Sequence, residues 1–362
     1  MACRFTCGDD GLVSTVSSVT TLPEVDLRHR PGQLRERLRE VAHEVGFFYL
    51  IGHGVPDALT RRVLAGAQRL FALPQAQKDA VAMVRSPHFR GYTRLGGELT
   101  GGEVDWREQL DIGPERDPVG GPDEPDYLWL QGPNQWPSGV PELPGIIAEW
   151  DAALAAVARS LLRHWAASLD SPEDVFDAAF AGAPATLIKI VHYPARAASS
   201  QGVGAHRDSG VLTLLLAEPG SQGLQVRAAG DNGWIDVPAR DGAFIVNIGE
   251  LLELATSGYL RATEHRVNLR HAADRTSVPY FFNPRLDAQI PTLSLPAELA
   301  TRAGLRADPF DPIFSVYGRN AWKSRLRAHP DVAAAHGYSM GTPHNVRRVP
   351  SRVRIRKSRR CE

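Results

Sequence analysis

Cysteine is scarce in this chain of 362 residues: Cys3, Cys7 and Cys361 are all there are, and all lie near the termini. Cys3 and Cys7 could pair with each other or with a metal, but no second pair completes a zinc site. Reduced, structurally idle thiols in a cytosolic protein are therefore the expectation. Long apolar runs are missing too; none approaches the ~20 residues of a membrane span. The N-terminus lacks a basic region followed by an apolar stretch, which argues against a secretory signal. No Gly-x-Gly-x-x-Gly follows a strand candidate, and there is neither a phosphate loop nor an internal repeat.

Net charge is absent only as a sum, since 41 Lys and Arg balance 41 Asp and Glu. From His344 onward eight basic residues face a single acid, Glu362, so the tail carries +7 and residues 1–343 carry −7. Such a tail could meet nucleic acid or an anionic surface. Without interleaved aromatics it reads instead as a disordered, solvated extension, and no nucleic-acid or membrane partner is expected. The body has an ordinary share of apolar and charged residues, so it can bury a sizeable core as one large domain or two smaller ones.

Four segments follow from the pattern. Residues 1–21, rich in Ser, Thr and Gly, form a loose arm. Residues 22–170 form a helical N-terminal region packed on the core. Within it Leu22–Asp26 is a short strand candidate and Leu34, Leu38 and Val41 space a helix over 33–44. Phe47–Ile51 reads as a buried strand, and Asp57 reads as the N-cap of a helix reaching Leu73. Residues 85–140 are dominated by Gly, Pro and Asp and are expected to be irregular; Pro144–Leu169 returns to helix. Residues 171–343 alternate short apolar runs with turns, which predicts a sandwich or barrel followed by a helical stretch over 308–329. Residues 344–362 are the basic tail.

Chemistry gathers around Gly204–Leu216. His206 and Asp208 stand two apart, and in an extended strand residues i and i+2 share a face. A second histidine, His265, opens a strand candidate 57 residues after Asp208. Two imidazoles and a carboxylate are the ligand set of non-haem Fe(II) oxygenases. Ten residues beyond His265 come Arg275 and Ser277, again on one strand face; a guanidinium grips a carboxylate with two parallel bonds and a hydroxyl adds a third. Upstream, Lys189 and Tyr193 lie in Lys189-Ile-Val-His-Tyr-Pro194.

In this order the pieces resemble the isopenicillin N synthase-like branch of the 2-oxoglutarate/Fe(II)-dependent dioxygenases. The resemblance covers nearly the whole chain, including Gly46–Val55, Arg90-Gly-Tyr92 and Asp105–Asp111. It implies a mainly β fold with flanking α-helices around a double-stranded β-helix, or jelly-roll, core, whose interior suits a ligand cavity. It implies Fe(II) on His206, Asp208 and His265, 2-oxoglutarate as cosubstrate and O2 as oxidant. Arg275 and Ser277 would hold the distal carboxylate of 2-oxoglutarate, with Tyr193 and Lys189 beside them. The chain departs from the pattern at Val191, where many relatives have Asn. The implied reaction is hydroxylation, desaturation or cyclisation of a small molecule, with release of succinate and CO2, in specialised metabolism such as antibiotic biosynthesis.

Two rivals share these motifs: an Fe(II) oxidase that dispenses with 2-oxoglutarate, and an ethylene-forming type that fragments it. A non-catalytic binding protein on the same fold is a third. Substrate-pocket candidates are Phe89, Arg90, Tyr92, Glu103, Asp105, Trp106 and Phe282, with core packing the alternative for the aromatics and a solvated face for the charge run 103–108. His53 reads as a turn residue and His192 as a local hydrogen-bonding group. Oligomeric state is left open.

Overall fold

The computed structural model describes residues 21–121, 123–195, 199–227, 233–269, 274–305 and 308–339. Apart from Thr21, the expected N-terminal arm and the basic tail lie outside the described residues. The strands are β1 (Glu24–Asp26), β2 (Phe47–Ile51), β3 (Gly91–Thr93), β4 (Glu98–Thr100), β5 (Glu103–Asp105), β6 (Glu108–Ile112), β7 (Leu187–Tyr193), β8 (Gln201–His206), β9 (Leu212–Ala217), β10 (Leu224–Arg227), β11 (Trp234–Asp236), β12 (Phe244–Ile248), β13 (His265–Asn268) and β14 (Arg275–Phe282). The α-helices are α1 (Pro31–Glu44), α2 (Asp57–Ala72), α3 (Gln75–Asp79), α4 (Leu143–Ser168), α5 (Asp177–Phe180), α6 (Glu250–Ala255), α7 (Ala297–Ala300), α8 (Tyr317–Ala328) and α9 (Pro330–His336).

Eight strands form one sheet in the order β1-β2-β12-β9-β14-β7-β6-β3, and four form a second in the order β11-β10-β13-β8. This is the jelly-roll core expected from the sequence. Alternation along each strand decides what lies on either side. On β14, Val278, Tyr280 and Phe282 join a large apolar core under α1, α2 and α4, where Trp150 and Trp165 are fully buried. The opposite face of the same sheet meets the smaller sheet. There Phe47, Tyr49, Val191, Tyr193 and Ile245 pack on Val203, Leu224, Val226 and Val267 as a second apolar cluster.

Local sequence explains the joints. Pro31 at the first turn suits the start of α1, because its fixed φ is already helical and its missing N–H would have had no intrahelical partner. Gly46 ends that segment at φ +72, and a Cβ there would lie 2.2 Å from the Arg261 carbonyl oxygen; only glycine lets the chain turn straight into β2. Asp57 makes no capping hydrogen bond; it is the first residue of α2, and Pro56 precedes it as the flanking residue.

Two expectations are corrected. Residues 85–140 are not irregular throughout, since β3 and β6 close one edge of the large sheet and β6 pairs along β7. Likewise β1 and β2 join the other edge through β12, so residues 22–170 build part of the sheet itself as well as its helical cover. Short strands with mixed polarity hide in a Gly-rich stretch because their pairing is non-local. No described helix is long and apolar enough to cross a membrane.

His192 reports on this edge. Its Nδ1 lies 2.8 Å from Glu108 Oε1, its Nε2 lies 3.0 Å from Asp274 Oδ2, and its ring stacks on Phe71. Burial opposes the charged ring, but the Glu108 and Asp274 hydrogen bonds raise its pKa above the ordinary 6.5. A raised folded-state pKa means stability that is fully present below about pH 6.5 and lost as pH rises through the folded value. Urea unfolding of His192→Gln should therefore lose this part of the pH dependence; an unchanged stability–pH profile would remove the assignment.

Candidate active site

His206 ends β8, Asp208 sits two residues on in the turn before β9, and His265 opens β13. The β13–β8 register places His265 opposite His206. The expected strand parity of His206 and Asp208 therefore does not apply; the turn after β8 brings the carboxylate back to the rings. One donor atom from each of the three lies within 4.8 Å of the others, and the His206 and His265 Nε2 atoms are 3.5 and 3.8 Å from Asp208 Oδ1.

Each of these side chains is oriented from behind. His206 Nδ1 faces the Gly204 carbonyl at 2.9 Å and His265 Nδ1 faces the Thr263 carbonyl at 3.1 Å. Both Nδ1 atoms therefore carry the proton, leaving the two Nε2 lone pairs free. Asp208 Oδ2 accepts from Thr213 Oγ1 at 2.5 Å and Asn247 Nδ2 at 2.8 Å, so Oδ1 faces the rings. Thr213 and Asn247 are direct partners across β9 and β12. Glu250 N donates to the Asp208 carbonyl at 2.7 Å, and Gly249 makes the approach possible, since a Cβ there would stand 2.2 Å from the Gly210 oxygen.

Electrostatics follow from this packing. Burial opposes ionisation of Asp208, but His206, His265 and the Thr213 hydroxyl around it hold its carboxyl well below the usual range, and the same carboxylate raises His206 against the effect of burial. Burial, with the neighbouring His206, pushes His265 down to about 4. A carboxylate with a neutral imidazole beside it is a ready cation site, and three donors on one face fit an octahedral Fe(II) with positions to spare.

Arg275 and Ser277 share the inner face of β14 and are both buried. Arg275 pairs with Tyr193 in the β14–β7 register, and its Cζ lies 4.9 Å over the Tyr193 ring. Its Nε and Nη1 have no hydrogen-bond partner among the described residues. A buried guanidinium with open donors calls for an anion, and a dicarboxylate cosubstrate fits it. Val191 is fully buried in the smaller apolar cluster, so that position is apolar here.

A cavity of about 1150 Å³ opens on His206 and Asp208, with Arg107, Lys189, Pro279 and Phe281 among its walls. Several expected pocket residues lie elsewhere. Phe281 faces the cavity, whereas Phe282 stacks on Phe180 in the outer core, because neighbouring strand residues face opposite sides. Phe89 packs edge-on to Trp322, and the Tyr92 hydroxyl donates to Glu108. Glu103 is exposed on β5. Trp106 packs against the smaller apolar cluster, and Arg90 lines a separate, smaller cavity.

Beyond the exposed Glu103 and Val104, the run 103–108 is not a solvated face either. Asp105 is fully buried and accepts from Thr100, Arg107, Gln201 and the Gly204 amide, tying β5 to the strand that carries His206. Arg107 and Lys189 both pair with Glu98, at 3.0 and 2.7 Å. Lys189 thus reaches the cavity already neutralised, rather than as a free grip for cosubstrate. Sequence reasoning missed Thr213, Asn247 and Glu98, and read Arg107 only as part of a charge run. Thr213 lies within Gly204–Leu216, but only strand pairing shows that it and Asn247 meet the same oxygen. His53 accepts from the Val55 amide, as a turn residue does.

The chain matches the model of the 2OG-Fe(II) oxygenase superfamily over residues 185–284 and that of the non-haem dioxygenase N-terminal region, described from morphine synthesis, over residues 22–139. It is 34% identical to the 2-oxoglutarate-dependent dioxygenase frbJ of a Dothideomycetidae species, over 87% of this chain and 91% of that one. It is 32% identical to a homoarginine-6-hydroxylase of Glycine max, over 73% of this chain and 82% of that one. In fold it is similar to a full-length Neurospora crassa protein crystallised with alpha-KG and thymine, with a TM-score of 0.68, 21% identity, and coverage of 85% of this chain and 99% of that one. This chain belongs to the 2-oxoglutarate/Fe(II) oxygenase family. It is an oxidoreductase of the non-haem dioxygenase class, using Fe(II), 2-oxoglutarate and O2.

Because Asn247 aims Asp208 through Oδ2, Asn247→Ala should weaken Fe(II) affinity about 10- to 100-fold with the fold intact. Anaerobic metal titration with circular dichroism as control checks this; wild-type affinity would show that Asn247 does not orient the ligand.

Proposed function

We propose that this oxygenase hydroxylates, desaturates or cyclises a small molecule in cytosolic specialised metabolism. In this reading Fe(II) is held by His206, Asp208 and His265. Arg275, with Ser277 and Tyr193, holds the distal carboxylate of 2-oxoglutarate. The observation that supports the reading is the convergence of three metal donors, two of which, His206 and Asp208, line a large cavity, with a buried Arg275 on the inner face of β14 whose Nε and Nη1 have no partner among the described residues.

When bound, iron with 2-oxoglutarate and O2 supplies the oxidising chemistry and releases succinate and CO2. The residues of the chain do the positioning. Thr213 and Asn247 hold Asp208 so that one oxygen stays free for metal. The Gly204 and Thr263 carbonyls keep both rings in the tautomer that presents Nε2. Tyr193 covers one face of the Arg275 guanidinium, which restricts the approach of its carboxylate partner to the fork. Lys189, Glu98 and Arg107, with Asp105 and Asp111 beside them, form a charge-paired polar wall that substrate meets.

Asp208→Ala should abolish turnover and reduce iron binding by orders of magnitude, measured as succinate formation and anaerobic metal titration. Arg275→Ala should raise the KM for 2-oxoglutarate at least tenfold, since a charge-assisted pair is lost. An unchanged 2-oxoglutarate KM in Arg275→Ala would displace the cosubstrate role to another group.

A further inference from the structure

A second cavity, of about 50 Å³, adjoins the first; Leu187, Tyr317, Ala321 and Arg325 line both. Its walls hold three guanidinium groups, Arg90, Arg116 and Arg325, and no carboxylate. Two of the three have evident partners. Arg325 Nη1 is paired with Asp111 Oδ2 at 2.5 Å, and Arg116 Nη1 donates to the Pro184 carbonyl at 3.0 Å.

Arg90 differs. It is 7% exposed, its Nη2 donates to the Leu130 carbonyl at 3.0 Å, and its Nε has no acceptor among the described residues. Acids on neighbouring elements are already committed. Asp111 serves Arg325, Lys189 and Gln109, while Glu115 serves Asn134 and Trp136. Gly113 lies flat against the guanidinium, since a Cβ there would be 2.0 Å from Arg90 Nη2. Asp111 and Glu115 act on Arg90 only from a distance; burying a guanidinium with no carboxylate paired directly to it is costly, yet the space next to it stays open and exceeds the ~10–15 Å³ that one water needs.

We propose that this side cavity is an oxyanion subsite that takes a carboxylate or phosphate-type group on Arg90, with Arg116 and Arg325 completing a positive wall. The planar guanidinium fork suits two oxygens of one such group. The anion is either the acidic end of the substrate, whose body lies in the iron cavity, or a free ion. Only this choice of source rests on the enzymatic reading above.

The test uses the full chain loaded with Fe(II) and saturating 2-oxoglutarate under anaerobic conditions, so that Arg275 is occupied. Inorganic phosphate and acetate are titrated at constant ionic strength, with calorimetry and thermal shift as readouts. Saturable binding is expected, at least tenfold weaker in Arg90→Met. Ala185→Asp, which puts a carboxylate on the cavity wall, should abolish it and raise Tm, and this decides the matter if Arg90→Met does not fold. No saturable binding in the wild type, or equal affinity in the variants, overturns the subsite.

Aerobic 2-oxoglutarate consumption with paired carboxylic acids and their primary amides separates the sources. Stimulation by acids alone, lost in Arg90→Met, assigns the site to substrate. Phosphate binding without such discrimination assigns it to a free anion. Failure of the 2-oxoglutarate charge-transfer band to form would overturn the cosubstrate reading and leave the anion titration standing.

Discussion

Much of this molecule turns on how one carboxylate is held. Asp208 divides its two oxygens between two tasks: Oδ2 is fixed by Thr213 and Asn247, and Oδ1 faces the two imidazoles. That division needs β9 and β12 side by side in one sheet, β8 and β13 paired in the other, and a turn that carries the chain between the sheets at residue 208. A slip of one residue in β9 or β12 would send Thr213 or Asn247 to the opposite face. The register of the jelly roll and the geometry of the candidate metal site are therefore one constraint.

The interior between the sheets has two regions. Around Tyr49, Val203, Val226 and Ile245 it is an ordinary apolar core. Around Glu98, Arg107, Asp111, Lys189 and Arg325 it is a buried network of opposite charges. Buried ion pairs contribute little to stability for what they cost in desolvation. What they do here is leave a polar cavity wall next to the candidate metal site. Asp105, through the Gly204 amide, links the outlying β4–β5 hairpin to the strand that carries His206.

Much of this was legible beforehand. The apolar run at 47–51 became a strand of the large sheet, the short apolar runs expected within 171–343 became strands of both sheets, and the helices over 33–44 and 144–169 appear within a few residues of their expected ends. The candidate metal donors were legible by residue type and order. The reason offered for His206 and Asp208, shared strand parity, was not the operative one, because Asp208 lies in a turn. The pocket walls were the least legible part. Phe282 and Phe281 are indistinguishable by composition, and only the strand's orientation assigns one to the core and the other to the cavity. Asp105 and Arg107 look like a solvated charge run until Glu98, upstream, and Gln201, far downstream, supply their partners.

By itself, then, the sequence determined which residues are chemically able to bind a metal and a dicarboxylate, and which segments are apolar enough to form sheets and covering helices. These are local properties, carried by residue type and by periods of two and 3.6. Only the tertiary structure decided which oxygen of Asp208 is free, which charges of 98–111 pair, and that the Arg90 Nε is left without an acceptor beside a cavity, among the described residues. Those outcomes depend on partners distant in the chain meeting across a sheet or between a sheet and a helix, such as Asp111 with Arg325, and no local pattern encodes such meetings.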